Sequence, residues 1–331
     1  MSALAIYYLL QQVALDDLGK ALGRAQTLPL LLISLSVLVA LITRAARWQV
    51  YFLPNRHVGF GPLLRTVSIS YLPLPLRAGE VLRAVFLGRH ERIPVPRVIG
   101  TILLEKLFDF LAVGVLLAIL VALAPLPIAA TVAGVSIVSV ILVGFGFVVA
   151  LAVWREPTLR LVQFVEDRLP FRLGRRLRLE QSTRQFAQGT DSLRVGRLWA
   201  LLLVWTAITW LCSIASTWAG LAALSLAPGL PALLFAIVLT STGQAVPSSP
   251  GYVGVYHVAA TSALVAFGVD PASALAFAVV THAFSYGTLV VVGLLALWTG
   301  GYSLNDLRVG LSNQPAAVTS RADPLSLAPD A

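Results

Sequence analysis

Two short segments of this chain share an arrangement of proline, glycine and polar residues, and each precedes a long apolar stretch. The segment 73–80 reads Pro-Leu-Pro-Leu-Arg-Ala-Gly-Glu, and the segment 247–254 reads Pro-Ser-Ser-Pro-Gly-Tyr-Val-Gly. Gly79 precedes Glu105 by 26 residues, and Gly254 precedes Thr281 by 27. Hydrophobic segments interrupted by Pro and Gly at corresponding positions of two halves are typical of transporter binding sites. The repeat therefore predicts a ligand site where two halves of a membrane protein meet.

The apolar stretch after the first segment contains three charged residues, Glu105, Lys106 and Asp109. A charged group inside a membrane costs roughly 2.5–3.5 kcal/mol on insertion scales and is rarely retained without a role. Glu105 and Asp109 lie four residues apart and share one face of a helix. We expect them to pair with arginines of the preceding segment, Glu105 with Arg77 and Asp109 with Arg83.

Two interpretations of these charges stay open. In the first, the ion pairs neutralise each other and fix the preceding segment. In the second, the cations bind a phosphate, because arginine suits bidentate phosphate contact, while the carboxylates orient them or carry protons. The cations are Arg77, Arg83 and Lys106, and the carboxylates are Glu80, Glu105 and Asp109.

The second segment and the stretch after it supply neutral candidates for the same site. Gly79, Gly251 and Gly254 permit a positive φ and close approach of a ligand or helix. A helix that begins near Gly254 would direct its N-terminus at an anion. The two histidines are interpreted either as structural residues or as groups that bind a headgroup phosphate or relay protons. The predicted site residues of this half are Pro247, Ser249, Pro250, Gly251, Tyr252, Gly254, Tyr256, His257, His282 and Tyr286.

Composition places the chain among polytopic membrane proteins. Of its 331 residues, 58% are hydrophobic and 12% are charged, against about 25% charged in soluble domains. The net charge of +9 is explained by basic cytoplasmic loops, so we expect no nucleic-acid partner. Cys212 is the only cysteine, which excludes an internal disulfide bond, and no His and carboxylate spacing resembles a metal site. We therefore expect no metal and no cofactor.

Hydropathy and charge divide the chain into a membrane domain, 1–300, and a disordered tail, 301–331. A helix from 28 to 53 ends in Arg44, Arg47 and Trp48, which are interpreted as an anchor at the membrane interface. The stretch 3–10 is interpreted as the end of a short or truncated first helix, with an interfacial helix as the alternative. Further spans are predicted at 98–123, 128–154, 198–224 and 272–298. The loop 155–197 holds ten arginines against five acidic residues and is predicted to be a solvated cytoplasmic loop.

Two pairs of shorter apolar runs flank the proline–glycine breaks and read as re-entrant hairpins. If the arginine-rich regions 44–97 and 155–197 lie inside, the turn 124–127 and the loop 225–229 lie outside. The first hairpin then enters from inside and the second from outside. The expected fold is an all-α polytopic membrane protein, an inverted repeat of helices with two re-entrant or broken hairpins. The loop 155–197 and the C-terminus are expected to be cytoplasmic.

At these motifs the chain resembles the transmembrane domain of lysylphosphatidylglycerol synthases, over roughly residues 1–300. The motifs that carry the resemblance are 44–48, 76–83, 103–109 and 250–257. The resemblance implies an inner-membrane protein that moves a lipid, or a lipid-linked headgroup, between leaflets. Relatives with a fused synthetase domain aminoacylate phosphatidylglycerol. We expect no such domain here, because only a short tail follows residue 300, and hence no synthetase activity.

The chain departs from the pattern of the family at three positions. The family usually has Glu where His257 stands, and Arg where Lys106 and His282 stand. In the second half, His257 and His282 keep the site polar but replace residues of fixed charge. It leaves the identity of the lipid open.

The leading hypothesis is a flippase-like transporter of an anionic or polyprenyl-phosphate lipid. One alternative is a non-catalytic membrane partner whose loop 155–197 recruits a transferase. Another is a membrane-embedded headgroup transferase, although the sequence lacks an Asp-rich cluster that would bind its metal. The sequence leaves the oligomeric state open.

Overall fold

The computed structural model describes residues 15–53, 55–73, 78–124, 128–154, 156, 160, 179–245 and 250–300. These residues form helices and contain no strand, which confirms the expected all-α class. The helices are α1 (Leu15–Gly23), α2 (Thr27–Phe52), α3 (Phe60–Ser70), α4 (Ala78–His90), α5 (Val95–Leu123), α6 (Ile128–Val153), α7 (Leu179–Gln188), α8 (Gly196–Ala223), α9 (Leu230–Ala245), α10 (Val255–Val265) and α11 (Pro271–Thr299). Two 3₁₀ turns, Asp191–Arg194 and Pro250–Tyr252, precede α8 and α10.

Several predictions fall outside the described residues. Three of them are the site residues Arg77, Pro247 and Ser249. The stretch 3–10, most of the basic loop and the tail 301–331 lie outside as well.

Four helices are long and apolar enough to cross a membrane: α2, α5, α8 and α11, with 26 to 29 residues each. At 1.5 Å per residue the shortest of them extends about 39 Å, more than the hydrocarbon thickness of a bilayer. Helix α6 is apolar over Gly134–Ala150. The chain is therefore a multi-pass membrane protein.

The helices repeat one order in the two halves. A long helix (α2 or α8) is followed by a helical hairpin (α3–α4 or α9–α10) and then by a second long helix (α5 or α11). In the first hairpin Gly79 lies against α3, because a Cβ there would come 2.0 Å from the carbonyl oxygen of Ser70. In the second hairpin the chain turns through Gly251 and Gly254, whose φ angles are +71° and +91°.

Helices α2 and α8 pack side by side in antiparallel directions. At one end of the pair the backbone N–H of Gln26 donates a hydrogen bond to the backbone carbonyl of Ala223, at 2.9 Å. At the other end the Asn55 side chain donates to Asp191, at 2.5 Å. The start of α2 thus lies beside the end of α8, and the end of α2 lies beside the start of α8.

The two hairpins are rooted at opposite ends of this helix pair. The first hairpin begins and ends near Asn55, at the end of α2. There the guanidinium of Arg56 donates to the carbonyl of Glu91. The second hairpin begins after α8 and ends before α11. At the start of α11, Ala272 packs with Leu18 of α1. This order matches the expected inverted repeat, whereas re-entry of the hairpins into a membrane stays a prediction.

The end of the basic loop is part of the helix bundle. Helix α7 packs on α5, and a Cβ at Gly189 would come 2.3 Å from the carbonyl oxygen of Arg97. Ser192 and Leu193 are buried. The prediction of a solvated loop is therefore wrong for its last part, because α7 and the turn after it pack against the apolar helices α5 and α8.

Candidate functional site

A cavity of about 440 Å³ lies between the two halves of the bundle. Helices of both halves line it, so it stands where the sequence predicts a ligand site. Seven predicted site residues line this cavity: Glu80, Lys106, Asp109, Tyr252, Tyr256, His282 and Tyr286. Arg44 and Trp210 line it too, and neither was among the predicted site residues.

Lys106 and Glu80 form an ion pair at the tip of the first hairpin. The Nζ atom of Lys106 lies 2.8 Å from Oε1 of Glu80. Glu80 stands in the first turn of α4, where the helix dipole favours a negative charge. The two side chains are 41% and 39% exposed, so both are accessible to a ligand.

Asp109 lies one turn further along α5 and is held by two arginines and an indole N–H. Nη2 of Arg47 lies 2.8 Å from Oδ1 of Asp109, and Nη1 of Arg44 lies 3.6 Å from Oδ2. The indole of Trp210 donates to the same carboxylate at 3.4 Å. The predicted pair of Asp109 with Arg83 is therefore wrong, because the arginines of α2 take that place.

Behind the cavity wall, Arg47, Glu105 and Arg83 form an ion cluster that is almost completely buried. Nη2 of Arg83 lies 2.5 Å from Oε2 of Glu105, and Nη2 of Arg47 lies 3.9 Å from Oε1. The exposed fractions of the three side chains are 0% for Arg47, 2% for Glu105 and 4% for Arg83. Glu105 and Arg83 are thus brought together as a pair, but inside the protein and not at the surface of the cavity.

Trp48 completes this cluster. The guanidinium of Arg83 lies over the indole ring, 3.7 Å from its centre, and the indole N–H donates to Thr101 at 3.0 Å. An arginine over the face of Trp is stabilised by the quadrupole of the ring. The cluster thereby joins α2, α4 and α5.

The interpretation of Arg44, Arg47 and Trp48 as an interface anchor is wrong. Arg47 and Trp48 are fully buried, and Arg44 faces the cavity. The physical reason is that Glu105 and Asp109 are carboxylates within an apolar helix, and they require cations from a neighbouring helix. The four-residue spacing of the carboxylates was the signal that a second helix had to supply partners.

In the second half, His282 binds the tip of the hairpin. Its Nε2–H donates a hydrogen bond to the carbonyl oxygen of Gly251, at 2.8 Å. The ring of Tyr286 stacks on the imidazole in parallel, with 5.3 Å between the centres. A Cβ at Gly251 would come 2.8 Å from this tyrosine ring, so a larger residue at this positive φ would displace the ring and strain the backbone.

His257 is brought to the same group of rings without lining the cavity. Its ring centre lies 4.9 Å from that of His282 and 6.0 Å from that of Tyr256. Its Nδ1 accepts a hydrogen bond from the amide of Gly254, at 3.4 Å. His257 therefore caps the start of α10.

The remaining predicted residues shape the hairpin tips. Gly79, Gly251 and Gly254 are buried at the turns, whereas Pro250 is exposed. None of these four lines the cavity. Within the described residues, no group of three or more His, Cys, Asp or Glu side chains is arranged to hold a metal ion.

The sequence model of one protein family, described as the lysylphosphatidylglycerol synthase TM region, matches residues 1–293. No curated protein and no solved structure matches the chain. The chain belongs to this family, as its motifs predict.

Proposed function

We propose that this member of the lysylphosphatidylglycerol synthase transmembrane-region family moves a phosphate-bearing lipid between the leaflets of a membrane. The observation that carries the proposal is the cavity between the two halves, which has cations and carboxylates on its wall and a hairpin tip on either side. In lipid, such a polar and charged space is costly to maintain unless a polar ligand or water occupies it.

Positive charge is in excess at this site. The described charged groups of the cavity and of the ion cluster behind it are Arg44, Arg47, Arg83 and Lys106 on one side, and Glu80, Glu105 and Asp109 on the other. Four cations against three carboxylates leave one positive charge. A phosphodiester headgroup carries one negative charge and would balance it.

Lys106 and Arg44 are the groups proposed to bind the phosphate. Both line the cavity, and their side chains are 41% and 23% exposed. Glu80 and Asp109 orient them and share them with the ligand. Arg83 and Glu105, which the sequence placed in the binding site, instead hold α4 against α5.

The size of the cavity supports a headgroup site. A volume of about 440 Å³ lies within the range of small-molecule pockets, about 300–1,000 Å³. It suits a phosphate with a small substituent, while the acyl or prenyl chains stay in the bilayer.

The arrangement of the hairpins supports a transport cycle. They are rooted at opposite ends of the α2–α8 pair, and their tips meet the same cavity through Glu80 and Tyr252. Rocking of one half against the other would open the cavity to one leaflet and then to the other, as in transporters built from inverted repeats. We place the protein in the inner membrane, with the loop 155–197 and the C-terminus in the cytoplasm.

Lipid movement in proteoliposomes tests the proposal. Fluorescent phosphatidylglycerol and a labelled polyprenyl phosphate are each followed with purified protein, and protein-free vesicles give the background. We expect at least one of the two lipids to move faster with protein, and Arg44→Gln to slow that movement. Arg24→Gln removes the same charge at an exposed residue between α1 and α2 and serves as the matched control. Background rates from folded protein for both lipids, and also for a polyprenyl phosphate that carries a sugar, would contradict the proposal.

A further inference from the structure

The two walls of the cavity differ in their chemistry. Each formally charged residue of the lining belongs to the first half, in α2, α4 or α5: Arg44, Glu80, Lys106 and Asp109. Among the described residues, the second half contributes no Lys, Arg, Asp or Glu to the lining. It contributes hydroxyl groups and rings, together with the amide of Gln244.

Several hydroxyl groups on this second wall are free to bind a ligand. The side-chain oxygens of Ser241, Tyr252, Tyr256 and Tyr286 have no hydrogen-bond partner within the described part of the chain, whereas the hydroxyl of Thr281 is buried against Gly220 of α8. A hydroxyl that lines a cavity and has no partner in the protein can bind a ligand without breaking an existing hydrogen bond, so these groups are available to the occupant of the cavity. Four hydroxyls grouped on one wall match a ligand that carries several hydroxyls of its own.

The rings on this wall favour the same class of ligand. Tyr286 and His282 lie parallel, and Tyr256 lies 5.0 Å from His282. The negative face of an aromatic ring attracts the slightly positive C–H groups of a polyol, while the phenolic O–H binds its hydroxyls. A wall of rings and hydroxyls without a fixed charge is therefore suited to a neutral, hydroxylated group.

We infer that the ligand is a lipid whose phosphate carries a neutral polyhydroxyl group, with the phosphate at Lys106 and Arg44 and the polyol at the hydroxyl wall of the second half. The inference rests on the proposed function and specifies its substrate class. The shared chemistry has two sources, a glycerol headgroup on a diacyl lipid and a sugar on a polyprenyl phosphate.

Two pairs of lipids test the inference in the proteoliposome assay. Phosphatidylglycerol and phosphatidylethanol carry the same single charge, but only the former has hydroxyls on its headgroup. Polyprenyl-phosphate hexose and polyprenyl phosphate form the second pair. We expect the hydroxylated lipid of one pair to move at least tenfold faster than its partner, and the pair in which this occurs identifies the source.

The variant Tyr286→Phe removes one hydroxyl and keeps the stacked ring. We expect it to lower the rate of the hydroxylated lipid roughly three- to tenfold, which is the effect of one neutral hydrogen bond, and to lower the preference within the pair. Tyr51→Phe removes a buried hydroxyl away from the cavity and is the matched control for folding. The variant Tyr252→Phe gives an independent second test on the same wall.

The outcomes separate this inference from the proposed function. Equal rates within both pairs would overturn the inference and leave the flippase proposal standing. A preference that survives in both Tyr286→Phe and Tyr252→Phe would also overturn it, because the hydroxyl wall would not be its cause. Absence of movement for all four lipids would overturn the proposed function, and the inference with it.

Discussion

Lys106 and His282 occupy equivalent positions in the two halves of the bundle. Each lies eleven residues after the first residue of a 29-residue helix, α5 or α11. Lys106 binds Glu80 of the first hairpin at 2.8 Å, and His282 donates to the carbonyl of Gly251 of the second hairpin at 2.8 Å. Each residue therefore ties the tip of a hairpin to the middle of the long helix that follows it. The first tie is an ion pair, and the second is a neutral hydrogen bond to the backbone.

The hydrogen bond from His282 to Gly251 predicts that the tip of the second hairpin becomes less stable when this donor is removed. His282→Leu removes the donor to Gly251, whereas His282→Gln can retain an N–H donor of similar reach. An interhelical hydrogen bond in a membrane protein contributes about 0.6 kcal/mol on average, so we expect roughly threefold faster amide exchange at 251–254 in His282→Leu. Hydrogen exchange measured by mass spectrometry checks this. Equal exchange in the two variants would show that the tip is held by other contacts.

The buried ion cluster predicts a large loss of stability when one charge is removed. Glu105→Gln leaves Arg83 and Arg47 with less negative charge in an interior site. Breaking a buried pair in this way costs about 3–5 kcal/mol. Thermal unfolding in detergent should show the loss. Glu91→Gln, one residue after α4 and 4.0 Å from His90, is the matched control and should change stability by less than about 1 kcal/mol.

A double variant tests whether Arg83 and Glu105 stabilise the protein as a coupled pair. Replacing Glu105 by Leu and Arg83 by Met together removes both charges of the pair at 2.5 Å. Arg47 retains Asp109, so we expect the double variant to be more stable than the sum of its single variants predicts. Strict additivity would contradict the assignment of Arg83 and Glu105 as a coupled pair.

Close packing at the first hairpin predicts that Gly79 tolerates no side chain. A Cβ at this position would overlap the carbonyl oxygen of Ser70, so Gly79→Ala must push α3 and α4 apart. We expect destabilisation of at least about 1–3 kcal/mol, the usual cost of overpacking. Gly61→Ala in α3 meets no atom within 4 Å and should be neutral or slightly stabilising. Comparable melting temperatures for the two variants would contradict this packing.

The opposite placement of the hairpins predicts opposite labelling in a membrane. With Cys212 replaced by Ala, single cysteines at His90 and Ala227 lie at exposed positions near the bases of the first and second hairpins. An impermeant thiol reagent should label Ala227→Cys from outside the cell, and should label His90→Cys only after the membrane is opened. Labelling of both from the same side would contradict the inverted order.

The sequence predicted the order of helices well, because hydrophobic length and the proline–glycine breaks are local signals. The long helices α5, α8 and α11 lie close to the predicted spans. The sequence also predicted that Glu105 and Asp109 pair with arginines, and both do. Lys106 and Asp109 line the cavity, and Glu105 is buried within the protein.

The partners of those charges could not be read from the sequence. Pairing depends on which helices pack together, and several arginines within 44–97 were available to Asp109 and Glu105. The rule that basic residues lie at the cytoplasmic surface favoured Arg44 and Arg47 as interface residues. Their position follows instead from the packing of α2 against α5 and α8, which places both arginines beside the carboxylates.

The most direct test of the central claim compares two substitutions of Lys106 in the lipid-movement assay. Lys106→Arg keeps the positive charge, whereas Lys106→Met keeps the length of the side chain and removes the charge. A charge-assisted contact to the phosphate is stronger than a neutral one, so we expect Lys106→Met to slow lipid movement roughly 10- to 100-fold. Lys106→Arg should retain most of the rate. Equal rates for Lys106→Met and the unmodified protein would contradict a phosphate site in this cavity.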